Sequence, residues 1–123
     1  MKSKIGAWCA MLVFVSVLAS NLQATVLRVV VVKTDNLETY VKEIGRGQAL
    51  LKELGSPAVV RVWHARFAGP NAGQVVVSVE YQDLAAYVND EKVASDPKYV
   101  AWLKGLSSIR TVVSDSLYDE AKP

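Results

Sequence analysis

Hydrophobic positions follow two different periods along this chain and predict four strands and two helical regions. Residues 25–33 (TVLRVVVVK) are β-branched and almost wholly apolar, which is typical of a strand. Residues 58–68, 74–81 and 109–118 are predicted as the other three strands. Residues 69–73 (GPNAG) combine glycine, proline and asparagine, so they predict a hairpin loop between the second and third strands.

The first helix is predicted between residues 35 and 55. Asp35 is the expected N-cap and Glu38 completes a capping-box-like pattern, while Gly55 ends the helix. The apolar stripe at helical spacing consists of Leu37, Val41, Ile44, Leu51 and Leu54. Gly45 and Gly47 interrupt the helix, and because they follow no strand we interpret them as a kink or a close packing contact, not a phosphate loop.

A second helical region follows the third strand. Asp83 is its expected cap, and the first part extends to about residue 95. Asp96 and Pro97 restart the helix, since aspartate is a good cap and proline is favoured at the first helical position. This segment is expected to end within residues 105–108.

The element order β-α-β-β-α-β predicts an α+β, ferredoxin-like domain over residues 25–118, followed by a short tail at 119–123. Its four-stranded antiparallel sheet would carry both helices on one face. The strands are too apolar to leave the other face in water. A second copy of the chain is the simplest cover, so we expect a homodimer, which would make a dimeric α/β barrel.

Residues 1–24 have the features of a signal peptide. Lys2 and Lys4 precede an apolar run over residues 5–18, and small residues follow it. Cleavage after Ala19 or Ala24 fits the pattern equally well. An uncleaved anchor is the alternative and would be the only membrane contact, although the run is shorter than the roughly 20 residues that span a bilayer. The sequence therefore predicts a periplasmic or secreted protein.

Composition excludes several functions. Without Lys2 and Lys4 the chain has 12 basic and 12 acidic residues, so no net positive charge favours nucleic acid. Cys9, the only cysteine, lies in the predicted signal segment, and the remainder has one histidine. Disulfides, a thiol nucleophile and a cysteine metal site are therefore not expected, and no metal or cofactor is predicted.

The second strand carries that histidine, His64. If the hairpin loop holds residues 69–73, His64 lies opposite Ser78, with Glu80 and Val76 as diagonal neighbours, on the face away from the helices. Trp63 would then face the helices as a core residue, as would Trp102. His64 and Glu80 are the candidate catalytic pair, because a histidine beside a carboxylate can transfer protons near neutral pH. The candidate ligand-binding residues are Arg66, Ser78, Val62, Val76, Arg28 and Ser114. Alternatively, His64 and Glu80 satisfy each other across a dimer interface.

Residues 75–103 (VVVSVEYQDLAAYVNDEKVASDPKYVAWL) resemble the dimeric α/β-barrel superfamily, which includes antibiotic-biosynthesis-type monooxygenases, haem-degrading monooxygenases and NIPSNAP-like proteins. The resemblance implies a two-sheet barrel formed by a dimer, with a cavity inside the barrel or between sheet and helices. It also implies small aromatic or hydrophobic ligands, which some members oxidise without metal or flavin. Haem-degrading members hold iron with a histidine of the second helix, whereas residues 84–106 contain none, so haem ligation is not implied.

Three functions remain open from the sequence, and whether the protein is an enzyme is left undecided. The first is an exported dimer that binds a small, largely apolar or aromatic ligand in a pocket on the sheet. The second is a non-catalytic structural or interaction dimer, favoured by the single histidine and the absence of cofactor motifs. The third is a cofactor-independent monooxygenase, implied only by the resemblance.

Overall fold

A computed structural model describes residues 25–67 and 69–121 and confirms the predicted ferredoxin-like α+β fold. The predicted signal peptide lies outside the described residues. Within them, no helix is both long and apolar enough to cross a membrane. The elements are β1 (Val26–Lys33), α1 (Leu37–Glu53), β2 (Val59–His64), a short 3₁₀ turn (Gly69–Asn71), β3 (Val75–Tyr81), α2 (Leu84–Asn89), α3 (Glu91–Ala94), α4 (Pro97–Leu106) and β4 (Thr111–Asp119).

The four strands form one antiparallel sheet in the order β2-β3-β1-β4. Alternation along each strand gives the sheet an inner face that packs on the helices and an open face that carries no helix. On β1, Val30 and Val32 point to the inner face and join the hydrophobic core, as do their β3 partners Val77 and Val75. The inner face is therefore built from valines of the central strands.

Helix α1 closes the core over this valine layer. Its buried residues are Tyr40, Ile44, Gly47 and Leu51. The predicted stripe is right for Ile44 and Leu51 and wrong for Leu37 and Val41, which are exposed. Tyr40, which the sequence places beside this stripe, is fully buried and belongs to the core.

The helix caps differ in one case from the sequence prediction. Asn36, not Asp35, caps α1, and its side chain accepts a hydrogen bond from the Thr39 amide at 3.0 Å. Asp83 caps α2 as predicted and accepts from the Ala86 amide at 2.8 Å. The predicted restart at Pro97 is also confirmed, and the whole region divides into three short helices.

The hairpin between β2 and β3 is longer than predicted, and this reverses the faces of β2. Ala65 donates its amide to the Gln74 carbonyl, so the connection holds residues 66–73 rather than 69–73. His64 therefore lies opposite Val75, not Ser78. The shift is three residues, and an odd shift moves every side chain of a strand to the other face. Trp63 consequently lies on the open face, 52% exposed, and the prediction that it is a core residue is wrong.

Strand β4 contains a β-bulge that changes which of its residues face the helices. Val32 pairs with Val112, but the preceding Val31 pairs with Ser114, so Val113 is the extra residue. After the bulge, Asp115 pairs with Val30. Val112 and Asp115 are three positions apart and would point to opposite faces of a regular strand, yet because of the bulge both lie at the inner face.

Candidate functional site

The residues predicted to form a site are divided between the two faces of the sheet. Ser78, Glu80, Val76 and Ser114 lie on the open face, as predicted. Arg28, Val62 and His64 belong to the inner-face side, because Arg28 alternates with Val30 on β1 and Val62 pairs with Val77. Arg66 lies in the hairpin connection and is exposed.

The predicted contact between His64 and Glu80 does not form. His64 ends β2 as an exposed residue, while Glu80 accepts a hydrogen bond from Arg61 Nε at 2.6 Å. Trp63 takes the place assigned to His64 and donates its indole N–H to Ser78 Oγ at 2.7 Å. The open face therefore has two polar pairs, Arg61–Glu80 and Trp63–Ser78, beside the apolar side chains of the central strands. This pattern favours a contact surface more than a proton-transfer site.

A cavity of about 220 Å³ lies on the other side of the sheet, between the inner face and the helices. Its apolar wall is formed by Val30, Ile44, Leu51, Val60, Val77 and Val79, with Leu103, Leu106 and Val112. The polar side chains in its wall come from β1, β4 and the α2–α4 region: Arg28, Asp90, Glu91, Arg110 and Asp115. An apolar cavity with a few polar groups is the usual form of a small-molecule site.

Arg28 and Asp115 form a bidentate ion pair in the wall of this cavity. Arg28 Nε donates to Asp115 Oδ1 at 2.9 Å and Nη2 to Oδ2 at 2.5 Å. The hydrogen bond from Arg28 is the main cause of the lowered pKa of Asp115, and the same bond raises the pKa of Arg28. Both residues are therefore charged over the whole physiological range. Strand β1 supplies the arginine at an inner position, and the bulge in β4 turns the aspartate toward it.

Arg110 is a second guanidinium in the wall, placed just before β4. Its Nη1 donates to the hydroxyl of Tyr40 at 2.9 Å. Tyr40 is fully buried, so its hydroxyl holds Arg110 against the core. Among the described residues Arg110 forms no salt bridge, in contrast to Arg28. Most of its N–H groups consequently remain available to another acceptor.

A buried carboxylate lies in another part of the wall. Asp90 is 8% exposed, and its Oδ2 accepts hydrogen bonds from Ser56 Oγ and Tyr81 Oη, each at 2.7 Å. Burial, together with the bond to Asp90, raises the pKa of Tyr81, so its phenol remains protonated and acts as a donor. Tyr87 meets the ring of Tyr81 edge-on at 5.4 Å between centroids and restricts it from the side. Hydroxyl donors thus satisfy this carboxylate, and among the described residues it forms no salt bridge.

Two aromatic side chains of α4 complete the wall. Tyr99 and Trp102 pack with their ring centroids 5.7 Å apart, and burial raises the pKa of Tyr99. The indole of Trp102 lies directly against Gly47 of α1, where a Cβ would overlap the ring. The interpretation of this glycine as a close packing contact is confirmed. The Trp102 N–H is buried and has no hydrogen-bond partner among the described residues.

Sequence reasoning missed most of this site because it placed a pocket on the open face, whereas this cavity lies on the inner face. The sequence does predict Arg28 as a ligand-binding residue, but it places this side chain on the open face. One signal was present: Arg28 interrupts a run of valines, and a charged residue at an inner position of a central strand needs a partner or a cavity. No comparable signal identified Asp90, because its contact with Tyr81 depends on how α2 packs.

The chemistry of the cavity follows from its donors and acceptors. Two guanidinium groups and the phenol of Tyr99 can bind oxygen acceptors, and the carboxylate of Asp90 can accept a proton or a hydrogen bond. Within residues 25–67 and 69–121, no cluster of histidine, cysteine and carboxylate side chains is arranged to hold a metal ion. The geometry suits binding and orientation of a small molecule with a few oxygen atoms.

Comparison with known proteins supports the fold and leaves the family open. No protein-family model matches the sequence, and a search of curated proteins finds no match. Among solved structures, the chain is similar to SnoaB, a cofactor-independent oxygenase from Streptomyces nogalater, with a TM-score of 0.59 and 12% identity over 82% of this chain and 97% of that one. It is also similar to a protein from Bacteroides thetaiotaomicron assigned as an antibiotic biosynthesis monooxygenase, with a TM-score of 0.51 and 18% identity over 80% of this chain and 90% of that one. The chain therefore shares a ferredoxin-like fold with these two proteins.

Proposed function

We propose that this chain is an exported, homodimeric α/β-barrel protein that binds a small, largely apolar or aromatic molecule in the cavity between its sheet and helices. The observation that carries the proposal is the cavity itself, which has a valine and leucine wall and charged groups held in fixed positions. Its volume is below the roughly 300–1,000 Å³ usual for ligand pockets. The ligand is therefore a compact molecule of one or two rings.

Binding can be tested by calorimetric titration with neutral one-ring and two-ring aromatic probes, naphthamide among them. Ala94 lies in the cavity wall, whereas Ala101 on α4 is exposed and lies outside it. Ala94→Trp should fill the cavity and weaken binding by at least about tenfold, while Ala101→Trp adds the same ring without effect. Equal binding by both variants would place the probe elsewhere and overturn the site.

The proposed homodimer rests on the open face of the sheet. Trp63 and Tyr118 are large and exposed there, and Val29 and Val76 lie between them on the central strands. Pairing of two such faces removes this apolar surface from water. Trp63→Asp should convert the dimer to a monomer in sedimentation velocity. The control Val88→Asp changes an exposed apolar residue of α2 instead, and equal behaviour of the two variants would argue against this interface.

Export is proposed from residues 1–24 alone. The mass of the protein isolated from its own cells gives a direct test. Cleavage after Ala19 or Ala24 predicts two distinct masses, and an intact N-terminus with the protein in the membrane fraction would indicate the uncleaved anchor. A cytoplasmic location would contradict the proposal.

Cofactor-independent oxygenation is the second candidate function. It is favoured by the likeness in fold to SnoaB, which is described as a cofactor-independent oxygenase, although at 12% identity that likeness concerns the fold alone. Oxygen uptake with a panel of phenols and quinols tests it directly. The assignment of His64 and Glu80 as catalytic residues stays a prediction, and retention of turnover by His64→Ala and Glu80→Ala would refute it.

A further inference from the structure

Two charged groups of the cavity, Arg110 and Asp90, lie toward opposite ends of the sheet. Arg110 immediately precedes Thr111, which pairs with Lys33 at the end of β1. Asp90 binds Tyr81, which pairs with Val26 at the beginning of β1. The cavity is therefore bordered by a guanidinium toward one end of β1 and by a carboxylate toward the other.

The end near Lys33 has an excess of positive charge, because Arg110 lies there. The other guanidinium of the cavity, Arg28, is two residues from Val26 on β1, so it lies nearer to the opposite end and is paired with Asp115. Asp115 uses both of its oxygens on Arg28. The charge of Arg110 is thus left without a dedicated partner among the described residues, and its only hydrogen bond to a side chain is to the neutral Tyr40 hydroxyl.

The opposite end has an excess of negative charge. Asp90 is buried and held by hydroxyl donors, and Glu91 lies next to it in the cavity wall. No lysine or arginine pairs with either carboxylate among the described residues. An anionic group placed at this end would meet the charges of two carboxylates and be repelled.

We propose that the cavity selects an aromatic or apolar monocarboxylate, whose carboxylate binds Arg110 and whose apolar body extends along the valine wall toward Asp90. This inference deepens the proposed function and rests on it, because it names the class of ligand for the same cavity. A guanidinium fits a carboxylate in planar, two-bond geometry. The Tyr40 hydroxyl fixes the guanidinium by one nitrogen and leaves the others to the ligand.

Matched probes test the proposal on the unmodified protein. Naphthoate and naphthamide have nearly the same shape and differ in charge, and naphthalene dicarboxylate adds a second anion at the far end. In calorimetric titrations naphthoate should bind about tenfold more tightly than naphthamide, because hydrogen bonds to charged groups are about twice as strong as neutral ones. The dicarboxylate should bind at least about tenfold more weakly than naphthoate, because its second carboxylate meets Asp90 and Glu91.

Variants identify the responsible group. Arg110→Gln should remove the preference for naphthoate and leave naphthamide binding within about twofold, because the amide does not depend on the charge. Arg46→Gln is the matched control: Arg46 is exposed on α1, paired with Glu43 and outside the cavity. The ratio of acid to amide affinity in the unmodified protein remains informative if Arg110→Gln fails to fold.

The outcomes separate this inference from the proposed function. Equal binding of naphthoate and naphthamide, both blocked by Ala94→Trp, would keep the cavity as the site and overturn the anion preference. A preference for naphthoate that survives Arg110→Gln would also overturn it. Failure of every probe to bind would refute the proposed function and the inference together.

Discussion

Gly47 and Trp102 provide the sharpest test of how the cavity wall is built. The indole of Trp102 lies where a side chain at position 47 would extend, and a Cβ placed there would overlap the six-membered ring and lie 2.7 Å from Cε2. Gly45, two residues earlier in the same helix, has open space in the corresponding direction, with no atom within 4 Å of where its Cβ would lie. The two glycines therefore differ in packing while they share a helix.

The expected free energies follow from two opposing effects. Glycine to alanine inside a helix stabilises the folded protein by about 0.5–1 kcal/mol, because glycine loses more conformational freedom on folding. Gly45→Ala should show this gain alone. Gly47→Ala must also displace the indole, and overpacking of this kind costs about 1–3 kcal/mol. We therefore expect Gly47→Ala to be less stable than Gly45→Ala by about 1–3 kcal/mol.

Urea unfolding followed by circular dichroism measures both variants on one scale. A double variant shows whether Trp102 is responsible: with Trp102→Leu in the background, Gly47→Ala should become neutral or stabilising, because the overlapping ring is gone. Equal midpoints for Gly45→Ala and Gly47→Ala would refute the reasoning. So would a loss of stability in Gly47→Ala that persists without the indole.

Three further results are expected from other parts of the structure. Asp115→Asn should lower the free energy of unfolding by up to about 1 kcal/mol at neutral pH, since screening at the half-exposed pair with Arg28 limits the effect. The folded-state pKa of Asp115 is lowered, so this contribution to stability is present above the unfolded pKa of about 3.9 and disappears as the pH falls through the folded pKa. Urea titrations at neutral pH and in acid should therefore show a difference between variant and wild type that vanishes in acid. Asn36→Ala should destabilise by about 1 kcal/mol in the same assay and Asp35→Ala by less, and the reverse order would contradict the assignment of the cap. Gln48→Ala should cost about 1–3 kcal/mol, since Gln48 bonds a backbone carbonyl and a backbone amide at the start of β2, and an unchanged midpoint would show that water replaces both bonds.

The fold was predictable because most of its strands carry strong local signals. The valine runs of β1 and β3 allow few other interpretations. Asp83 marks a helix start because its carboxylate caps the first turn, and Pro97 does so because its ring fits the first helical position. For β3 even the two faces are right, since Val75 and Val77 are buried and Glu80 faces away.

The site was harder to predict because it depends on a loop. Ala65, Phe67 and Trp63 are all apolar at alternate positions, so residues 58–68 favour a strand that continues to position 68 with those three side chains toward the core. The chain instead leaves the sheet after His64, and Gly69 and Gly73, both at positive φ, make the turn. Ending the strand early changes the register by three residues and moves His64 away from Ser78. No local pattern in the sequence distinguishes the two loop lengths.

The bulge at Val113 has a consequence for how this fold could acquire new specificity. A single extra residue lets one edge strand contribute side chains of both parities to the cavity, so Asp115 reaches Arg28 without any change in the hydrogen-bonded partners of the other strands. Deleting one residue there would move each later side chain of β4 to the opposite face of the sheet, so Asp115 would turn outward and leave the guanidinium of Arg28 without its carboxylate. One codon gained or lost at the edge of the sheet would thus change the charge of the cavity while the fold persists. Insertion or deletion of one residue at this position would therefore change the ligand charge that the cavity prefers in a single step, which substitution within the core would not.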